Sequence, residues 1–128
     1  MWLALLFLIV LLWLFAGGSQ RSSNNSILDR IRKDLDRITD SIQVPTYQLE
    51  EGTSSYFTQS RWGGKKIVLY LNSDYTSILF SACHEMAHLL CEEEGHGEKF
   101  QIIEKKLISQ GRKLGLLKGQ ISKDYPCD

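Results

Sequence analysis

Two histidines stand four residues apart in the segment His84 to His88, with a glutamate directly after the first. In a helix, side chains four positions apart lie on one face and close together, whereas in a strand they lie about 13 Å apart, so two histidines at this spacing can bind one ligand only on a helix. Residues 72–74 (Asn-Ser-Asp) are all good N-caps and supply a start for it. We therefore predict a helix from this triplet to about residue 91. Its core-facing side chains are Ile78, Leu79, Ala82, Met86, Leu89 and Leu90.

On such a helix both imidazoles can bind one zinc ion, while Glu85 lies toward a zinc-activated water rather than toward the metal. A catalytic zinc site usually has three protein ligands and one open position. His96 is the remaining one of the chain's three histidines, and glycines flank it on both sides. A turn after the helix can therefore bring it back to the metal. We predict that His84, His88 and His96 bind zinc and that Glu85 is the catalytic general base.

Other assignments of this region stay open. The motif also occurs by chance on surface helices, although the apolar flank and the third histidine favour a metal site. Cys91 is a rival ligand because positions 84, 88 and 91 share a helix face, but it starts about 4.5 Å further along the axis than His88. The glutamates at 92–94 form a solvated acidic turn, or one of them orients a histidine.

Between residues 46 and 72 the pattern changes to short strands. Segments 55–59 (SYFTQ) and 66–71 (KIVLYL) are rich in aromatic and β-branched residues, and the pair at 63–64 (Gly-Gly) is a hairpin-turn signal. We expect an α+β domain with a small antiparallel sheet packed on the histidine helix. Strand 66–71 would be available to align an extended substrate by strand addition. A further helix should begin near Glu98 and pack through Phe100, Ile103 and Leu107.

An earlier amphipathic helix is also predicted. Ser26 followed by Asp29 resembles a capping box, and Pro45 limits the far end of the helix. Apolar residues recur at steps of three and four, which makes a hydrophobic seam from Leu28, Ile31, Leu35, Ile38 and Ile42. We expect this seam to dock onto the chain's own domain. A coiled-coil dimer is the alternative, but the seam is shorter than the three or four heptads that such an assignment needs.

The chain begins with sixteen residues that carry no charge, MWLALLFLIVLLWLFA. We predict a transmembrane anchor at residues 1–18 and a polar linker at 19–25. A cleaved signal peptide is the alternative, since Ala16 and Gly18 suit a cleavage site, but no cation precedes the apolar run. Arg21 and later cations follow it, so the positive-inside rule places the C-terminal domain in the cytoplasm. The odd count of three cysteines agrees with that reducing side.

Chain length and net charge limit the number of domains and the kinds of partner that we expect. The chain has 128 residues, enough beyond the apolar segment for one domain. Its 15 basic and 15 acidic residues balance to a net charge of zero. Nucleic-acid binding normally needs a clustered surplus of lysine and arginine, so we expect no nucleic-acid partner.

Together these motifs resemble the SprT-like and WLM group of minimal zincin metalloproteases, over residues 54–110. In that group a hairpin and a polar loop precede the HExxH helix, and a GHGxxF-like segment opens the next helix. Gly95, His96, Gly97 and Phe100 match that segment. The resemblance implies a zincin α+β domain at residues 26–128, with zinc as the cofactor. The chain departs from the members of that group that act on DNA-bound proteins, because it lacks a basic tail or zinc ribbon and carries an apolar N-terminus.

The resulting hypothesis is a membrane-anchored zinc metallopeptidase that hydrolyses peptide bonds in a protein or peptide substrate. The alternative is a non-catalytic zinc-binding structural or adaptor protein at a membrane. Since similar domains occur in large viruses, a viral membrane protein is among the possibilities. The presence of Glu85 favours the enzyme, because a purely structural zinc site needs no carboxylate at that position.

Overall fold

A computed structural model of the chain describes residues 23–92 and 94–119, with side chains from residue 26 onward. The elements in this part of the chain are helix α1 (Ser23–Ile38), strands β1 (Tyr47–Glu51), β2 (Tyr56–Gln59) and β3 (Lys65–Leu69), and helices α2 (Tyr75–Leu90) and α3 (Glu98–Lys113). The domain is therefore α+β, as expected.

The three strands form one mixed sheet in the order β1-β3-β2, so the prediction of a purely antiparallel sheet is wrong. Strands β2 and β3 make the expected antiparallel hairpin, and Gly63 in its turn has a φ of 83° that favours glycine. Strand β1 was not predicted and pairs parallel to β3, with Tyr47 opposite Lys65. The chain returns from β1 through Gly52, where a Cβ would lie 2.4 Å from Val68 Cγ1. Strand β3 is therefore the central strand, with β1 paired along one edge and β2 along the other.

Helix α1 docks onto its own domain, as predicted. Ile31, Leu35 and Ile38 are buried in a core that they share with β3, α2 and α3. The predicted capping box is wrong, because the helix already begins at Ser23 and Ser26 lies within it. Residues 23–25, assigned above to the linker, are therefore helical. The helix ends at Ile38, well before Pro45, and the partly buried Ile42 reaches the core from the turn that follows.

A polar cluster fixes α1 against the start of α2. The Tyr75 hydroxyl donates a hydrogen bond to Asp34 Oδ2, and the Arg30 guanidinium carbon lies 3.7 Å from the centre of the Tyr75 ring. Burial raises the pKa of Tyr75 well above its usual range, and the hydrogen bond to Asp34 adds to the shift. The phenol therefore stays protonated and keeps donating at all ordinary pH values.

The chain after α3 folds back onto the core. Gly115 has a φ of 75°, and the Leu116 amide donates to the Gly111 carbonyl at 2.9 Å, which is a Schellman ending. Leu117 is then buried against Gly111, where a Cβ would lie 2.6 Å from the leucine Cδ1. Residues 120–128, including the last of the three cysteines, lie outside the described part of the chain.

Within the described ranges, no helix combines the length and the apolar character that crossing a bilayer requires. The predicted anchor at residues 1–18 lies outside those ranges, as do the first four residues of the predicted linker.

Replacing Leu35 with alanine should destabilise the domain by about 2–5 kcal/mol, because the side chain is fully buried between α1 and the rest of the core. Urea unfolding of the full chain in mild detergent measures this loss. Ile102→Ala is the matched control, since Ile102 is 58% exposed on α3 and its truncation should cost little. Equal losses for the two variants would contradict the docking of α1.

Candidate metal centre

Helix α2 forms where the sequence predicts it and carries two of the three histidines. Asp74 is the N-cap, with its side chain accepting from the Ser77 amide at 3.1 Å. Most of the next four turns is buried against β2, β3 and the other helices. His84 and His88 lie on a half-exposed face of the helix, with their ring centres 5.0 Å apart.

The link between α2 and α3 brings the third histidine back to this face. Cys91 ends α2 in an extended conformation, and Gly95 has a φ of 85°, which reverses the chain. The Gln101 side-chain amide donates to the His96 carbonyl at 3.1 Å and ties this link to the first turns of α3. His96 therefore stands beside the other two imidazoles, with its own side chain exposed.

The three imidazoles converge as predicted. One nitrogen from each of His84, His88 and His96 lies within 4.8 Å of the other two, and this group could hold a metal ion. The Nε2 atoms of His88 and His96 are 3.1 Å apart, close to the roughly 3.3 Å that separates two nitrogens on a tetrahedral zinc. No two nitrogens on one zinc can be more than about 4.2 Å apart, so a small side-chain rotation completes the set. Cys91 is not part of the group.

Phe100 forms the floor of the cluster. It is almost fully buried, and its ring centre lies 5.0, 4.3 and 4.9 Å from those of His84, His88 and His96. The motif residue therefore packs against every predicted ligand. This contact limits the rotation of the rings and keeps water from one side of the site.

Glu104 is a site residue that sequence reasoning missed. Its Oε2 atom contacts His84 Nδ1, and the two side chains are only 26% and 17% exposed. One alternative expected from the sequence is that a glutamate at 92–94 orients a histidine, but Glu92 and Glu94 are exposed. The signal that could have found it is helical spacing, since Glu104 lies one turn after Phe100 and two turns after His96.

Glu85 is fully buried at 0% exposure and is not among the residues that could hold the metal. It directly follows His84 on α2, and its role as the general base stays a prediction. The neighbouring Cys83 is buried too, and burial raises the pKa of its thiol to about 12. That thiol therefore stays protonated and does not compete with the imidazoles, the group that could hold a metal ion.

The metal-free domain should lose stability as the pH falls from about 6.5 toward 4. Burial, together with the neighbouring His84 and His96, lowers the pKa of His88 from 6.5 to about 4. In this window the unfolded chain binds a proton at His88 that the folded chain does not, so acid favours unfolding. Urea unfolding at pH 7 and pH 5 measures the loss. His88→Gln should show a smaller pH dependence than the wild type, and an equal one would contradict the assignment.

The face with the imidazoles opens to solvent through a groove of about 360 Å³. Its lining consists of His84, His96, Phe100, Gln101, Glu104 and Lys105. A ligand can therefore approach the histidine group from outside.

Comparison with known proteins gives one partial relative. No known protein family matches the chain, and no solved structure matches it either. Over 43 residues it is 51% identical to Uncharacterized protein 136R of Invertebrate iridescent virus 6. The match covers 34% of this chain and 24% of the viral protein, so the chain matches about a quarter of its relative's length. The name of that relative states no activity, and the function has to be inferred from the site.

Proposed function

We propose that the protein is a membrane-anchored, zinc-dependent metallopeptidase with a minimal zincin domain of the SprT-like and WLM type. The observation that carries the proposal is the convergence of three imidazoles next to a glutamate that follows the first of them on α2. The order of the elements supports the resemblance to this family. A hairpin and a polar loop precede the HExxH helix, and the GHGxxF-like segment opens the helix that follows.

Zinc fits the donor set better than the hard cations do. Three neutral imidazoles suit zinc and related transition metals, whereas magnesium and calcium prefer oxygen ligands. Three protein ligands also leave one tetrahedral position open, which is the pattern of catalytic rather than structural zinc sites. When bound, the ion would act as a Lewis acid that polarises a peptide carbonyl and makes a water molecule more acidic.

The chain's own residues would then transfer the proton and bind the metal ion. Glu85 is the general base: it takes a proton from the attacking water and later delivers it to the leaving amine. His84, His88 and His96 would hold the ion, and Phe100 packs beneath all three rings.

An extended substrate would align along β2 rather than along the strand expected from the sequence. Strand β3 is central and already paired on both edges, so it has no free edge for strand addition. Strand β2 is an edge strand and packs against α2, whereas the other edge strand packs against α1. A peptide added to β2 would therefore run on the side of the sheet that holds the histidine helix.

The proposed membrane anchor is the apolar segment at residues 1–18, which would cross the bilayer once. The cations that follow it favour the cytoplasmic side for the C-terminal domain, by the positive-inside rule. The neutral charge gives no support for a nucleic-acid partner. The partial likeness to a viral protein supports a viral origin, in which the enzyme would act on proteins near a membrane.

A second candidate is a zinc-binding structural or adaptor protein without turnover. The complete burial of Glu85 favours it, because a general base must reach the water whose proton it takes. On this alternative the ion would fix α3 against α2 and the open groove would bind a partner rather than a substrate.

Three measurements on the full chain, purified in mild detergent without chelators, separate these functions. Elemental mass spectrometry gives the zinc content, calorimetry gives the binding of a hydroxamate, and mass spectrometry of a peptide library detects cleavage. One zinc with hydroxamate binding and cleavage supports the peptidase. One zinc with neither of the other two supports the structural role, and a chain that binds no zinc overturns both.

A further inference from the structure

Glu104 connects the metal centre to the helix that follows it. Its Oε2 atom meets Nδ1 of His84, so the contact bridges α3 and α2 at the level of the first ligand. The two side chains are 26% and 17% exposed. They are thus partly shielded from water, where an interaction between a carboxylate and an imidazole is stronger than at an open surface.

The contact has a definite consequence for the imidazole. A carboxylate only accepts hydrogen bonds, so Nδ1 of His84 must carry the hydrogen. In a neutral imidazole the lone pair is then on Nε2, and a metal ion binds a nitrogen lone pair. Glu104 therefore selects the tautomer of His84 that presents Nε2 to an ion, and it fixes the direction of the ring.

Helix α3 contributes to the site at three successive points. It begins at Glu98, two residues after His96, buries Phe100 against the three rings in its first turn, and places Glu104 on His84 one turn later. The packing of α3 on α2 therefore also orients the imidazoles of the metal centre. Loss of the carboxylate would leave the packing of Phe100 in place and release the ring of His84.

We propose that Glu104 is a positioning residue for the metal: its carboxylate holds Nδ1–H of His84 so that Nε2 faces the ion together with His88 and His96. The inference rests on the proposed metal centre and does not depend on peptide hydrolysis. Carboxylates in this place raise the basicity of the imidazole and order it before the ion arrives. Both effects should appear in the zinc affinity.

The test compares the full-length wild type with Glu104→Ala and Glu104→Gln by zinc competition against a chromophoric chelator. The alanine variant should bind zinc about 10–100-fold more weakly. The glutamine variant should lie between it and the wild type, because its side-chain oxygen still accepts from Nδ1–H but carries no charge. Glu98→Gln removes an exposed glutamate at the start of the same helix and should leave the affinity unchanged.

Two further readouts separate positioning from a structural role. Nitrogen-15 spectra of the imidazoles should show the Nδ1–H tautomer of His84 in the metal-free wild type, and its loss as the preferred form in the alanine variant. Thermal unfolding of the metal-free glutamine variant should stay close to the wild type. Should the alanine variant fail to fold, the glutamine variant decides the affinity question alone.

The outcomes are distinguishable. A wild type that binds no zinc overturns the proposed metal centre itself. A wild type that binds zinc while a folded alanine or glutamine variant binds equally well overturns the role of Glu104 and leaves the metal centre standing. An Nε2–H tautomer of His84 in the wild type also overturns the role of Glu104.

Discussion

Replacing Glu85 with glutamine is expected to lower peptide hydrolysis by about 10²–10⁴-fold while the protein still binds one zinc per chain. Glutamine has nearly the same shape but cannot take a proton at neutral pH. The side chain is fully buried, and a neutral amide is less costly to bury than a carboxylate, so the fold should not suffer. Glu85 is also outside the group that could hold the metal, so the zinc affinity should change little.

The measurement pairs a cleavage assay with zinc analysis on the same preparations. Glu98→Gln is the control, because it makes the same chemical change at an exposed position on α3. A glutamine variant that keeps its zinc and cleaves at the wild-type rate would exclude Glu85 as the base. A variant that loses both zinc and activity would instead indicate that Glu85 supports the metal site.

The elements near the site could be predicted because their signals are local. The spacing of His84 and His88, the capping group before them and the apolar positions around them all specify one helix, and α2 follows that prediction. Glycines on both sides of His96 likewise allow the return turn, where Gly95 has its positive φ. Short-range geometry decides such features, so one sequence contains enough information.

The features that could not be predicted depend on distant partners. Strand β1 has the sequence YQLEE, which contains no β-branched residue, and it becomes a strand only through parallel pairing with β3. The contact between Glu104 and His84 depends on how two helices pack, twenty residues apart in sequence. Glutamates nearer to the motif were the natural candidates by distance along the chain, but Glu92 and Glu94 face solvent.

Zinc should raise the thermal midpoint of the wild-type protein by about 10–20 °C when its free concentration is about 100 times the dissociation constant, since it then contributes about 2.7 kcal/mol. His96→Ala should remove most of this rise. Two imidazoles on α2 hold an ion far less tightly than three ligands from two sides do. Because His96 is exposed on the link between α2 and α3, its loss should barely change the midpoint of the metal-free protein.

Comparing the thermal midpoints with and without zinc shows whether His96 acts as a metal ligand or stabilises the fold directly. Scanning fluorimetry with zinc and with a chelator gives both midpoints, and Glu94→Ala changes an exposed residue of the same link as the control. A variant at His96 that keeps the full zinc-dependent rise would contradict its role as a ligand. A fall in the metal-free midpoint equal to the lost rise would mean that His96 stabilises the fold directly. The expected pattern, loss of the zinc effect alone, requires that the third imidazole acts through the ion.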